Sequence, residues 1–229
     1  MQRSGRAWLG QQVASTVHLM LDPMLRMAID GATQAHRALE GALAGLDDAA
    51  ARRPCLLDGW SVGHLLAHLA RNAESHVRVL EGARRGERVA QYPGGPAQRA
   101  GDIDAGSAHP ASVLVADVLA ADRALETCWL SFDEWPADLG VDDIVLRRWR
   151  EVEVHHADLG PAYGRTYRDW SPAYLRLELR TLTMLWDSRR PMGLTGLPAA
   201  VMAADEPERL AWLLGRHGID GVEPAGLMP

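Results

Sequence analysis

Two pairs of side chains in the sequence have the residue types and the spacing needed to bind a metal ion. Glu151 and His155 lie four residues apart, and so do His64 and His68. In an α-helix, residues four apart lie on the same face. Both pairs stand among apolar residues, where an unpaired buried charge costs of the order of several kcal/mol. One of the two earlier histidines, together with Glu151 and His155, would make a two-histidine, one-carboxylate site.

Such a ligand set suits a small group of metals. Two imidazoles and a carboxylate bind Zn, Fe, Ni or Mn, and three protein ligands leave a coordination position open. Each pair also has a simpler explanation, as histidines bonded to backbone or water, or as a glutamate–histidine pair within one helix. Glu153 and His156 offer the Glu-x-x-His arrangement of di-iron bundles, but that design needs about four inward carboxylates. A mononuclear site is the preferred interpretation.

The spacing of apolar residues predicts the helices that would position these side chains. Apolar residues recur at intervals of three and four, which predicts long helices over residues 23–45, 62–83, 110–131 and 143–158. Asp22 with Pro23, and Ser61, are the expected residues at helix starts. Because residues 84–109 read as a long loop, the pattern predicts an antiparallel four-helix bundle with one crossover connection.

The chain divides into three segments in this interpretation. Residues 1–21 have no clear period and are expected to be an N-terminal extension. Residues 22–160 hold the metal-binding bundle. Residues 161–229 are expected to form a small α+β C-terminal domain that begins with a fifth helix, from residue 174 to about 189. The predicted fold is therefore mainly α.

The composition excludes several classes of function. The chain has 229 residues and a net charge of -6, which argues against nucleic-acid binding, since that needs a basic face. No stretch reaches the roughly 18 to 20 apolar residues of a membrane span, and the first residues lack the apolar region of a signal peptide. Cys55 and Cys128 fit no metal or redox spacing, which indicates buried free thiols. We expect a cytoplasmic monomer or homodimer that binds small molecules.

Two stretches of the sequence resemble the signatures of a known family. Residues 59–72 read Gly-Trp-Ser-x-Gly-His-Leu-x-x-His-Leu-Ala-Arg-Asn, and residues 150–160 read Arg-Glu-Val-x-x-His-x-x-Asp-Leu-Gly. Both are similar to the motifs of the mycothiol-dependent maleylpyruvate isomerase family, within the DinB/YfiT-like metalloenzyme bundles. The resemblance extends over most of residues 23–160 and implies a DinB-like four-helix bundle.

The resemblance also implies roles for individual residues. The metal ligands fall on three positions: His68, Glu151 and His155. His64 is then a structural neighbour, and Asn72, at the end of the first motif, is expected to bind the cofactor. Gly215-Arg216 is similar to a glycine–arginine pair of the family whose arginine serves the substrate side. Arg216 is therefore expected to be catalytic.

The activity that the resemblance implies depends on a bound metal, expected to be zinc, and on mycothiol as the thiol cosubstrate. The metal would stabilise the mycothiol thiolate at its open position. The thiolate would add to the double bond of maleylpyruvate, the bond would rotate while single, and elimination would give fumarylpyruvate. The same site would also serve thiol transfer to an electrophile in detoxification or secondary metabolism. A non-catalytic metal-binding or regulatory bundle is a third alternative.

Overall fold

The computed structural model describes residues 22–136, 139–141, 143–190 and 196–227. Across these residues the secondary structure is helical, and an isolated bridge between Pro54 and Ser61 is the only β pairing. The chain divides into two compact units between Val152 and Glu153. The expected N-terminal extension, residues 1–21, lies outside the described residues.

The first unit contains the helices of the predicted bundle. They are α1 (Pro23–Ala42), α2 (Asp48–Ala51), α3 (Val62–Arg84), α4 (Gly95–Ser107), α5 (Ala111–Leu130) and most of α6 (Ile144–Asp158). The four long helices α1, α3, α5 and α6 confirm the predicted elements. The prediction of a loop throughout residues 84–109 was wrong, because α4 occupies 13 of these residues. Along α4 only Ile103 and Ser107 are buried, so the apolar period was too weak to reveal a helix.

Both predicted N-terminal caps are confirmed. The Asp22 carboxylate accepts hydrogen bonds from the backbone N–H groups of Met24 and Leu25, and Pro23 occupies the first turn of α1. The Ser61 side chain accepts from a backbone N–H in the first turn of α3. These contacts satisfy donors that have no partner inside a helix, so they define where α1 and α3 begin.

A close approach between helices fixes α6 against α1. The indole of Trp149 lies directly over Gly31, where any Cβ atom would overlap the ring. Trp149 is only 1% exposed. A glycine at this position therefore allows a large aromatic side chain to be buried two residues before Glu151.

A buried arginine joins α6 to α3 and α5 just beside this point. Arg148 on α6 is fully buried and donates to the Asp122 carboxylate on α5. Its Nη1 donates to the Leu69 carbonyl at 3.0 Å and to Asn72 Oδ1 at 2.8 Å, both on α3. Because Glu151 lies one turn beyond Arg148, this network sets the position of Glu151 relative to α3.

The second unit contains the end of α6, two short 3-10 turns (Pro161–Tyr163 and Tyr167–Asp169), α7 (Pro172–Ser188), α8 (Ala199–Ala203) and α9 (Glu206–Leu213). The expected α+β character was wrong for the described residues 161–190 and 196–227, which hold helices and turns. The apolar run over residues 199–204 that suggested mixed structure forms the short helix α8, and residues 192–195 of the mixed stretch lie outside the described residues. The predicted fifth helix is confirmed as α7.

The two cysteines differ in their surroundings. Cys128 is a buried free thiol, as predicted, and burial raises its pKa to about 11. The prediction of full burial was wrong for Cys55, whose thiol is only partly buried because it lies in the connection between α2 and α3.

In the part of the chain that is described, no helix combines the length and apolar content that crossing a bilayer requires.

Candidate metal centre

Three side chains from two helices meet at one point. His68 lies on α3, and Glu151 and His155 lie on α6. One ligand atom from each residue lies within 4.8 Å of the other two. His68 Nε2 is 2.9 Å from Glu151 Oε2. Helix α6 is continuous across the division between the two units, so His155 stays one turn beyond Glu151.

The donor set fits a divalent transition metal. Tetrahedral ligands at 2.0 to 2.1 Å from a zinc ion lie about 3.3 Å from one another, so small side-chain rotations would bring these three atoms onto one ion. The side chains of His68 and His155 are 3% and 13% exposed, whereas that of Glu151 is 29% exposed. The cluster is therefore buried on its imidazole side and accessible beside the carboxylate, as a site that receives a substrate must be.

The second nitrogen of His68 faces an arginine. Arg99 Nη2 lies 3.1 Å from His68 Nδ1, and the ring of Trp60 meets the imidazole edge-on with centroids 5.6 Å apart. A guanidinium can only donate, so Nδ1 acts as the acceptor in this contact. Sequence reasoning missed Arg99, because it lies on α4, in the segment predicted to be a loop.

The second nitrogen of His155 faces a carboxylate. His155 Nδ1 lies 2.8 Å from Asp158 Oδ2, and the Asp158 side chain is 4% exposed. A carboxylate at Nδ1 orients an imidazole so that Nε2 is presented to a metal. Sequence reasoning assigned no role to Asp158, although its spacing of three residues from His155 on one helix was a usable signal.

Arg216 lies behind this carboxylate. Its Nε is 2.9 Å from Asp158 Oδ1 and 3.1 Å from Oδ2, and its Nη1 donates to the Leu214 carbonyl at 3.2 Å. The structure therefore places the arginine that was expected to be catalytic two contacts away from His155. Its Nη2 makes no hydrogen bond with the described residues, so a donor of this side chain is left for a ligand.

His64 lies outside the cluster. Its Nδ1 is 2.7 Å from Ser61 Oγ, and the Ser61 backbone N–H donates to the same nitrogen at 3.2 Å. With the His64 backbone N–H bonded to Ser61 Oγ, the two residues form a capping box at the start of α3. Of the two histidines that could have supplied the third ligand, the structure brings His68 to Glu151.

The Glu153 and His156 pair is used in a different way. Arg165 donates to the Glu153 carboxylate and lies 3.2 Å from His156 Nδ1. Ser171 Oγ donates to Glu153 Oε1 at 2.6 Å, and Trp170 Nε1 donates to the Glu153 carbonyl at 3.0 Å. Burial, with the charge of Arg165, lowers the pKa of His156 to about 4. These contacts bind the segment after α6 to the helix, so the pair is structural.

The described residues offer no support for a dinuclear site. Among them, His68, Glu151 and His155 form the one group of three or more side chains that could bind a metal ion together.

Asn72, which was expected to bind the cofactor, is 4% exposed and accepts from Arg148. Its cofactor-binding role stays a prediction, and its observed contact is one that holds α3 to α6.

Comparisons with known proteins identify the family of the chain and agree with its fold. A family model described as the mycothiol maleylpyruvate isomerase N-terminal domain matches residues 32–160, more than half of the chain. A crystal structure of a mycothiol-dependent maleylpyruvate isomerase is 24% identical, with a TM-score of 0.71, and the match covers 89% of this chain and 93% of that chain. A histidine-to-alanine mutant of such an isomerase is 23% identical, with a TM-score of 0.69 and coverages of 87% and 91%. No curated protein matches the chain significantly.

Proposed function

Since the chain belongs to the mycothiol maleylpyruvate isomerase family, we propose that it is a mycothiol-dependent metalloenzyme that isomerises maleylpyruvate or a similar electrophile. The observation that carries the proposal is the meeting of His68, Glu151 and His155 within 4.8 Å. These residues lie in the region that the family model matches. Their types suit a metal with an open coordination position.

The ligand residues have distinct tasks in this proposal. His68 and His155 supply neutral nitrogens, and Glu151 supplies one negative charge and the accessible edge of the site. A divalent metal bound there, zinc in our proposal, favours the thiolate form of a thiol at neutral pH. Asp158 keeps His155 in the orientation that leaves Nε2 for ligation, because its carboxylate lies at Nδ1.

The reaction needs a second positive group, which we assign to Arg216. Maleylpyruvate is a dicarboxylate, and a divalent ion that already faces Glu151 and a thiolate has little net charge left to attract it. Arg216 is always charged and has Nη2 available, so it would hold a substrate carboxylate. The mycothiol thiolate would add to the conjugated double bond and place the electron pair on the adjoining carbonyl as an enolate. The resulting single bond would rotate, and collapse of the enolate would expel the same thiolate and leave the trans isomer.

Cobalt substitution tests the proposal directly. Mycothiol added to the Co(II)-loaded protein should produce the absorption bands of a sulfur-to-metal charge transfer, and S-methyl mycothiol, which cannot form a thiolate, should not. The loaded protein should then convert maleylpyruvate to fumarylpyruvate in the presence of mycothiol. Charge-transfer bands without isomerisation, but with thiol transfer to another electrophile, would instead identify an S-transferase. A protein that shows neither band nor turnover would contradict the proposal in favour of a non-catalytic bundle.

A further inference from the structure

A polar groove lies between helices α3 and α4 of the first unit. Its volume is about 350 Å³, which is within the usual range for small-molecule sites of about 300 to 1,000 Å³. The side chains that give it its character carry charges of both signs, an amide and an aromatic ring: Arg71, Glu74, Arg78, Asp102, Gln98 and Tyr92. None of these residues belongs to the metal centre.

The groove follows the part of α3 that comes after His68. Arg71, Glu74 and Arg78 follow His68 on the same helix by three, six and ten residues. At a rise of 1.5 Å per residue, these positions lie about 4.5 to 15 Å from His68 along the helix axis. A ligand that reaches the metal with one end therefore has about 10 Å of groove for the rest of its length.

Arg99 connects the groove with the metal centre. It follows Gln98, which lines the groove, and its guanidinium carbon lies 5.9 Å from the centre of the Tyr92 ring. Its Nη2 is also 3.1 Å from His68 Nδ1. One side chain thus touches a wall of the groove and a candidate metal ligand, so the two sites are adjacent.

The chemistry of the lining indicates which ligand the groove suits. Glu74 and Asp102 disfavour a ligand that is only an anion, and the arginines disfavour a hydrocarbon. Arg71 Nη2 lies 2.8 Å from Glu74 Oε1. The other N–H groups of the guanidinium and the other oxygen of the carboxylate therefore lie close together. Alternating donors and acceptors beside an aromatic ring match a polyhydroxylated ring system, since each hydroxyl both donates and accepts.

We propose that this groove binds the sugar part of mycothiol. Mycothiol is a pseudodisaccharide of glucosamine and inositol with its thiol on a cysteinyl arm, so a sugar in the groove would leave the arm to extend toward His68. This inference rests on the proposed function, and it assigns the surface that distinguishes mycothiol from smaller thiols.

The test is calorimetry with the thiol-free pseudodisaccharide, glucosaminyl-inositol, on the metal-loaded protein. The unaltered protein should bind this probe, and Glu74→Gln, Arg78→Met and Asp102→Asn should each weaken binding about tenfold, as expected for one lost hydrogen bond to a charged group. Asp104→Asn is the matched control, because Asp104 lies on the same helix as Asp102 and does not line the groove. Metal content should be the same in all these proteins.

The outcomes separate this inference from the proposed function. If mycothiol produces the cobalt charge-transfer bands but the protein does not bind the pseudodisaccharide, the groove assignment is wrong and the proposed function stands. The groove assignment is also wrong if the three groove variants bind the probe as tightly as the Asp104→Asn control. If mycothiol itself does not bind, the proposed function fails, and the groove assignment fails with it.

Discussion

Asp158 joins Arg216 to the candidate metal centre, because its two oxygens accept from Arg216 Nε at 2.9 and 3.1 Å while one of them also lies 2.8 Å from His155 Nδ1. The arginine therefore stabilises the carboxylate that orients a proposed metal ligand. Its charge also lies near the place where substrate is expected. Arg216 thus has two roles in the proposed enzyme, and a single variant tests both.

Arg216→Met should lower turnover by a factor of the order of 100, the loss expected for a charge-assisted positioning contact. Asp158 remains, so we expect the bound metal to be retained. Steady-state kinetics with a confirmed substrate, together with elemental analysis, measure the two quantities. Arg180→Met, a change at an exposed arginine of α7, is the control and should match the unaltered enzyme. Unchanged kinetics in Arg216→Met would remove this residue from the substrate side.

Arg99→Met should strengthen metal binding. An imidazole that gives Nε2 to a metal carries its proton on Nδ1, where Arg99 also presents a donor at 3.1 Å. Removing the guanidinium removes this conflict and a nearby positive charge, so we expect affinity to rise about tenfold, the equivalent of one hydrogen bond. Competition with a chelator measures the dissociation constant, and Arg99→Lys should stay close to the unaltered protein. Equal or weaker affinity in Arg99→Met would show that the contact does not oppose ligation.

Asp122→Asn should destabilise the fold by about 3 to 5 kcal/mol, because the charge of a fully buried arginine would lose its carboxylate partner. Arg148 is 0% exposed, and the Asp122 carboxylate also lies 3.2 Å from His36 Nε2. Urea titration gives the free energy of unfolding. Asp117→Asn on the same helix, at a partly exposed carboxylate, should change stability by less than about 0.5 kcal/mol. A similarly small change in Asp122→Asn would mean that the Arg148 network contributes little.

Stability should fall below neutral pH because of His76. Burial first, and then the charges of Arg148 and Arg147, lower the pKa of His76 to about 3. Between about pH 6.5 and pH 3 His76 binds a proton in the unfolded chain but not in the folded protein, so this histidine alone lowers the free energy of unfolding by about 1.4 kcal/mol for each unit that the pH falls.

His76→Gln should remove this contribution. Urea titrations at pH 7.5 and pH 5 should show a loss of stability that is about 2 kcal/mol smaller in the variant than in the unaltered protein. His156, whose pKa is lowered to about 4, contributes a similar loss in both proteins. His109→Gln, at an exposed histidine, is the control and should behave as the unaltered protein does. If the pH dependence is the same in His76→Gln, another group is responsible for it.

The long helices were predictable because their apolar residues are regularly spaced. Periodic leucines and alanines marked α1 and α3, and Asp22 and Ser61 marked the starts of these helices. Helix α4 was not predictable, since it buries only Ile103 and Ser107 and its other residues have no apolar period. The tail was misread because its apolar runs are too short to distinguish a helix from a strand.

The candidate site was predictable only where its residues share a helix. The i,i+4 spacing placed Glu151 with His155, but the choice of His68 over His64 depended on the family resemblance. The structure supplies a physical reason, because His64 is held in a capping box by Ser61. Arg99 lies 31 residues from the histidine that it contacts, and no local pattern encodes such a contact.

The metal content of His68→Ala decides whether His68, Glu151 and His155 form a metal centre. We expect one divalent ion per chain in the unaltered protein after loading and desalting, and little or none in His68→Ala. His64→Ala, treated in the same way, should retain the ion, because His64 belongs to the cap of α3. Full occupancy in His68→Ala would contradict the assignment of these three residues as the ligands.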